Sequence, residues 1–186
     1  DVKTYPTISI IIPAYNEEKV IANTIEGLLE TKYPKKEIIF VDDGSKDRTL
    51  DIAMLYKDKI KVLHKENGGK ASALNYGLVY ATGEIVVIVD ADTIIGRHSL
   101  KEIVRGFEVN EHVGAVAGNI KVRNRVNWIT KCQALEYITG IQIVRRAFDV
   151  FGSITIVPGA LGAFKKSLLS EAGAYGKEII VEDFDQ

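Results

Sequence analysis

Ile8-Ser9-Ile10-Ile11-Ile12-Pro13-Ala14-Tyr15-Asn16-Glu17 is the stretch that decides the fold. A short, continuously apolar run ending in proline and polar turn residues reads as a strand, Ile8 to Pro13, covered on both faces. The same grammar recurs at Glu37 to Val41, Ile60 to His64 and Glu84 to Val89. Helical patterns lie between these runs, near Glu17 to Glu30, Asp47 to Tyr56 and Lys70 to Tyr80. Strands alternating with helices predict an α/β fold with a mostly parallel central sheet and helices on both faces. In the second helix Ser45 is expected to accept from backbone amides, with Asp47 in the first turn.

Beyond Asp92 the pattern changes. A helix is expected from about Ser99 to Val109, a strand near Gly114 to Val122 and a long helical stretch from about Asn127 to Val150. A strand near Ile154 to Val157 and a short helix over Lys166 to Glu171 follow. No repeat or low-complexity linker interrupts the 186 residues, so one domain over 1–186 is expected. Hydrophobic residues make up 46% and charged residues 26%, which excludes general disorder. Lys and Arg number 24 against 25 Asp and Glu, so no global positive field gathers nucleic acid. Cys132 is the single cysteine, and His64, His98 and His112 are scattered, which excludes an intramolecular disulfide and a zinc finger. No apolar run reaches membrane-spanning length. The chain starts at Asp1 and stops at Gln186 just after a carboxylate cluster, and it reads as trimmed at both ends.

Ligands of open α/β sheets bind beyond the carboxyl ends of the strands. Here the four strand ends run into Pro13-Ala14-Tyr15-Asn16-Glu17, Asp42-Asp43-Gly44-Ser45, Glu66-Asn67-Gly68-Gly69-Lys70 and Asp90-Ala91-Asp92. One such cluster would be ordinary loop chemistry, whereas four on a shared edge predict a ligand site. Asp90 and Asp92 are two apart, so an extended segment would project both carboxylates to one side, as suits Mg²⁺ or Mn²⁺. A solvated turn is the plainer reading of that tripeptide. Asp42 and Asp43 fit a helix-start turn and also a carboxylate that accepts from a base. Gly68-Gly69-Lys70 is by itself a flexible turn, yet glycine amides and a lysine leading into a helix also suit an anion. The spacings of a P-loop and of a Gly-x-Gly-x-x-Gly turn are both absent.

Glu182 and Asp183 follow the apolar run Ile179-Ile180-Val181. They read either as a solvated tail or, if folded back to the rim, with Asp183 as general base. Pro158-Gly159-Ala160-Leu161-Gly162-Ala163-Phe164 is small and apolar, equally a packed turn or a loop close to a ligand. Lys121, Arg123, Arg125 and Lys131 form a basic run, first a solvated face and second a contact for phosphates or lipid headgroups.

In order and spacing, these motifs together with Ala73-Leu74-Asn75 resemble the catalytic domain of a family 2 glycosyltransferase, the inverting type with the Rossmann-like GT-A fold. The likeness runs from Ile8 to Asp185. Gln133-Ala134-Leu135-Glu136-Tyr137, Arg145-Arg146 and the Pro158–Phe164 segment are similar to the processive, membrane-embedded branch that makes chitin-like, hyaluronan, cellulose and poly-N-acetylglucosamine chains. The resemblance implies a UDP-sugar donor, first UDP-N-acetylglucosamine and second UDP-glucose, a glycan or lipid-linked acceptor, Mn²⁺ or Mg²⁺, and a β-linked product. It implies that Pro13, Tyr15, Glu17 and one or both of Asp42 and Asp43 hold the nucleoside. Lys70 and Asp90 face the nucleotide sugar, Asp92 binds the metal and Asp183 is the base. Gly159, Ala160, Leu161, Gly162 and Glu182 line the acceptor side. Processive relatives continue to a Gln-x-x-Arg-Trp element and transmembrane helices, which this sequence does not contain. The implied location of the full-length protein is therefore the cytoplasmic face of the cell membrane, reached through segments outside this chain.

Other classes fit less well. A haloacid-dehalogenase-type phosphatase wants Thr or Val where Ile94 stands, and a sugar-phosphate nucleotidyltransferase wants a Gly-rich basic loop where Tyr15-Asn16-Glu17 stands. A non-catalytic nucleotide-sugar-binding module is the remaining alternative.

Overall fold

The computed structural model describes residues 5–110, 112–118 and 161–171. Among them, strands β1 (Ile8–Ala14), β2 (Lys36–Asp42), β3 (Lys61–His64), β4 (Ile85–Val89), β5 (Ala115–Ala117) and β6 (Leu161–Lys165) form one sheet in the order β3-β2-β1-β4-β6-β5. The helices are α1 (Ile21–Leu29), α2 (Thr49–Met54), α3 (Lys70–Tyr80), α4 (Ser99–Glu108) and α5 (Lys166–Glu171). The pairs β1–β2, β1–β4 and β2–β3 are parallel, and β6 runs antiparallel to both β4 and β5.

Alternation along β1 explains the two helical layers. Ile8, Ile10 and Ile12 pack in one core with Ile21, Ile25 and Leu28 of α1 and Leu100, Ile103 and Val104 of α4. Ile11 faces the other way, into a core with Ile39, Val41, Val86 and Ile88 and with Ala73, Leu74 and Leu78 of α3. All seven residues of β1 and all five of β4 are buried, as expected for strands covered on both faces. Helix α3 approaches the sheet closely: a Cβ on Gly77 would lie 2.7 Å from Ile11 Cγ2 and 3.0 Å from Val41 Cγ2. Ser9 is the polar exception within β1, fully buried. Its hydroxyl donates to Glu37 Oε1 at 2.5 Å and accepts from the Gly83 amide at 2.7 Å.

Several expectations are corrected. β3 is a partly exposed edge strand, because nothing pairs with its outer side among the described residues. Helix α1 begins at Ile21 rather than Glu17, since the amides of Glu17 and Glu18 are drawn to Thr49 Oγ1 and Asp47 Oδ2 on the neighbouring loop. At α2 the carboxylate that takes the Thr49 amide is Asp47, at 2.9 Å, while Ser45 Oγ accepts from the Asn16 amide. Residues 161–164, expected as turn or loop, belong to β6, whose Leu161 to Lys165 pair with Val89 to Ile85. The strand expected over Gly114 to Val122 is Ala115–Ala117 among the described residues, and its part after Gly118, the helix near 127–150 and the strand near 154–157 lie outside them. No helix among the described residues is long and apolar enough to cross a membrane.

Candidate active site

The carboxyl ends of β1, β2 and β4, with the loop leading to α3, enclose a cavity of about 330 Å³. Pro13, Ala14, Tyr15, Glu17, Asp43, Asn67, Gly69, Lys70, Ala73, Asp90, Ala91 and Asp92 line it. It lies where the chain crosses from β1 to β2 on one side and β4 on the other, the switch point of an open α/β sheet.

Two strand-end loops are laced together to form its first wall. Asn16, at φ +57°, takes the amide of Lys46 on Oδ1 at 2.8 Å while its own amide reaches Ser45 Oγ at 3.0 Å. The Glu17 amide donates to Thr49 Oγ1 at 2.7 Å, the Glu18 amide to Asp47 Oδ2 at 3.2 Å and the Arg48 amide to Glu18 Oε2 at 3.1 Å. This lacing holds Tyr15 on the rim as an exposed residue, 41% accessible, whose ring offers a flat apolar surface to a planar ligand.

The two adjacent aspartates separate by position. Asp42, the last residue of β2, has a fully buried side chain. Its Oδ2 accepts from the Ser45 amide at 3.2 Å and meets His64 Nδ1 at 2.8 Å, so it lies beneath the rim rather than in the cavity lining. Asp43 does line the cavity. Its carboxylate receives Lys65 Nζ at 2.7 Å and the amides of Gly68 and Gly69 at 3.1 and 2.8 Å. The anion held by the Gly68-Gly69 amides is thus the chain's own. The Gly68 amide also reaches Oδ2 at 3.2 Å, so each Asp43 oxygen already accepts two contacts and the roughly four acceptor positions of the carboxylate are taken. Gly44 makes the junction possible: at φ +76°, a Cβ there would lie 2.7 Å from the Asn67 amide nitrogen.

Opposite stands the Asp90-Ala91-Asp92 segment. It is a turn, closed by the Thr93 amide on the Asp90 carbonyl at 3.0 Å, and not the extended segment expected. Both carboxylates nevertheless reach the cavity. The buried hydroxyl of Thr24 in α1 holds the Ala91 carbonyl at 2.6 Å and anchors the turn. Across the cavity Lys70 Nζ lies 2.8 Å from Asp90 Oδ1. Burial, then the charges of Asp92, Asp47 and Asp90, push the Glu17 carboxyl above its ordinary value.

Four acids and one lysine therefore line the described cavity, and Lys65 neutralises only Asp43. Among the described residues no three acidic, histidine or cysteine side chains form a ready metal cage. That donor set fits Mg²⁺ or Mn²⁺ bound by one or two carboxylates, the remaining ligands being water and substrate phosphate.

Of the residues expected at the site, Pro13, Tyr15, Glu17, Asp43, Lys70, Asp90 and Asp92 come together, and Asp42 does not. Leu161 and Gly162, expected on the acceptor side, are buried within β6. Gly159, Ala160, Glu182 and Asp183 lie outside the described residues. The supports Thr24, Asp47, Thr49 and Lys65 carry no motif of their own, because each acts through a partner remote in sequence.

The sequence pattern of Glycosyl transferase family 2 matches residues 9–173. The chain belongs to this family. It is 36% identical over 179 residues to the poly-beta-1,6-N-acetyl-D-glucosamine synthase of Staphylococcus epidermidis, covering 95% of this chain and 43% of that protein. The corresponding Staphylococcus aureus (strain COL) synthase is 35% identical over the same length. The chain spans less than half the length of these curated relatives. The mannosyltransferase PcManGT from Pyrobaculum calidifontis, solved with GDP-Man and Mn²⁺, superposes with a TM-score of 0.75 at 30% identity, covering 96% of this chain and 50% of that one. S. aureus TarS 1-349 superposes with a TM-score of 0.67 at 25% identity, covering 91% and 50%. The expected GT-A fold of this glycosyltransferase family is therefore the fold of the chain.

Proposed function

We propose that the chain is the donor-binding catalytic domain of an inverting, metal-dependent glycosyltransferase that moves a sugar from a UDP-sugar to a hydroxyl of a growing β-linked glycan. The first donor is UDP-N-acetylglucosamine, supported by the identity to the staphylococcal synthases, and the second is UDP-glucose. The observation that carries the reading is the convergence of Tyr15, Glu17, Lys70, Asp90 and Asp92 on one cavity at the sheet's switch point. Tyr15 stacks the base, with Glu17 open to its N–H groups, and Asp43, its carboxylate engaged by Lys65 and the glycine amides, forms the wall beside it. Lys70, at the positive end of α3, faces the diphosphate. Asp92, with Asp90, would hold Mn²⁺ or Mg²⁺, which neutralises the charge gathering on the departing diphosphate. Asp42 supports from beneath.

Asp183 is the base in this reading. The acceptor oxygen bonds to the anomeric carbon, its proton passes to Asp183, and the bond to the diphosphate oxygen breaks with inversion. In the full-length enzyme Glu182 and the 159–162 segment belong to the acceptor side, and segments outside this chain bring the domain to the cytoplasmic face of the membrane. A thermal-shift screen tests the donor: UDP-N-acetylglucosamine with Mn²⁺ is expected to raise Tm most. GDP-mannose, the ligand of the Pyrobaculum calidifontis neighbour, is the control. A larger shift with GDP-mannose than with any UDP-sugar would overturn the choice of base. Asp183→Asn is expected to abolish transfer in the full-length enzyme while leaving UDP and Mn²⁺ binding within about twofold of the parent, a split read by UDP release and calorimetry.

A further inference from the structure

We propose that Lys70 is a built-in stand-in for the divalent cation: its ammonium compensates Asp90 until a cation takes that place, and its release then turns it towards the diphosphate. The inference rests on the functional reading above and concerns how the same site is loaded.

Lys70 Nζ is 2.8 Å from Asp90 Oδ1. That oxygen is shut off from solvent and accepts no hydrogen bond among the described residues, so the neighbouring charge is its compensation. Lys70 also opens α3, whose first turn holds no acidic residue. A cation is disfavoured at the positive end of a helix, so an anion across the cavity is what keeps the ammonium there. Glu17 and Asp92 add negative charge to the same cavity, as the raised Glu17 carboxyl reflects.

The pair is built to exchange. The Lys70 side chain is 41% exposed, so its ammonium has open water to move into when it leaves Asp90 Oδ1. A doubly charged ion shared by Asp90 and Asp92 gains more from the same carboxylates than a single ammonium does. Once displaced, the ammonium stays at the α3 N-terminus without its anion, and the donor's diphosphate is the next one to arrive. Cation and nucleotide then help each other through Lys70, a coupling that runs equally in both directions.

Mn²⁺ binding to the 186-residue chain without nucleotide, followed by electron paramagnetic resonance of the free ion, tests this. Lys70→Met is expected to bind Mn²⁺ roughly three- to tenfold more tightly than the parent, because the competing charge is gone. Its UDP affinity, measured by calorimetry, is expected to fall about tenfold with Mn²⁺ present and by less than about twofold without it. Lys70→Gln gives a second reading should the methionine variant fail to fold. Lys46 is an exposed lysine of the neighbouring loop with no ion pair among the described residues, and Lys46→Met is expected to leave Mn²⁺ affinity unchanged. Unchanged or weaker Mn²⁺ binding in the Lys70 variants, or equal tightening in Lys46→Met, overturns the exchange but leaves the functional reading intact. A parent chain that binds neither Mn²⁺ nor UDP overturns both.

Discussion

Glu17 carries the electrostatic load of the rim. Its carboxyl is raised from 4.5 first by burial and then by Asp92, Asp47 and Asp90. A carboxyl with a higher pKa folded than unfolded binds its proton more tightly in the native state. Its contribution therefore turns unfavourable as pH rises from the unfolded value through the folded one. Glu17→Gln is thus expected to raise Tm by about one to three degrees at pH 7. The gain should vanish below about pH 4, where the parent Glu17 is also protonated. UDP affinity should fall in the same variant if Glu17 faces the base. A melt that gains nothing at neutral pH would show that neither burial nor the neighbouring acids disfavour the charged Glu17. At this scale Tyr15, Glu17, Lys70, Asp90 and Asp92 were legible from their places after buried strands. Which of Asp42 and Asp43 enters the cavity was not, because consecutive residues at a strand end point to opposite sides and adjacency alone does not say which.

The turn that bears Asp90 and Asp92 depends on an element distant in sequence. Thr24 Oγ1 donates to the Ala91 carbonyl from within α1, and Thr24 is 2% exposed. Thr24→Val keeps the shape and removes the hydroxyl, leaving a buried carbonyl without that donor. Urea unfolding should show a loss of about 1–3 kcal/mol. Mn²⁺ affinity should fall as well, since the turn loses its anchor, and a variant with parental values of both would refute the anchoring role. Helix α3 has a different constraint. Gly77→Val would force its branch against Ile11 and Val41, both fully buried, with an expected loss of at least about 2 kcal/mol in the same assay. Helix α3 was readable as Lys70 to Tyr80, its start marked by the glycine pair before it, and the structure ends it where Ala81 turns extended. Strand β6 was not: Leu161-Gly162-Ala163 has the composition of a turn, and pairing with the buried β4 overrides that local preference.

For the molecule as a whole, the alternation of apolar runs and helices was enough to predict the layered α/β architecture, because burial on both faces leaves an unmistakable run of isoleucine and valine. The one strand among the described residues that runs against the others, β6, was hidden, since long-range pairing leaves little trace in local sequence. Ligand linkage acts at this scale too. With Mn²⁺ present, a UDP-sugar at a hundredfold excess over its Kd should add about 2.7 kcal/mol to unfolding, seen as several degrees in Tm and reversed by EDTA. A shift that survives chelation would argue for binding without the ion. The five hydrogen bonds lacing residues 16–18 to residues 45–49 also bear on engineering. Anyone transplanting base preference from a relative would have to graft both segments at once, since either alone would arrive with donors and acceptors cut for a different counterpart.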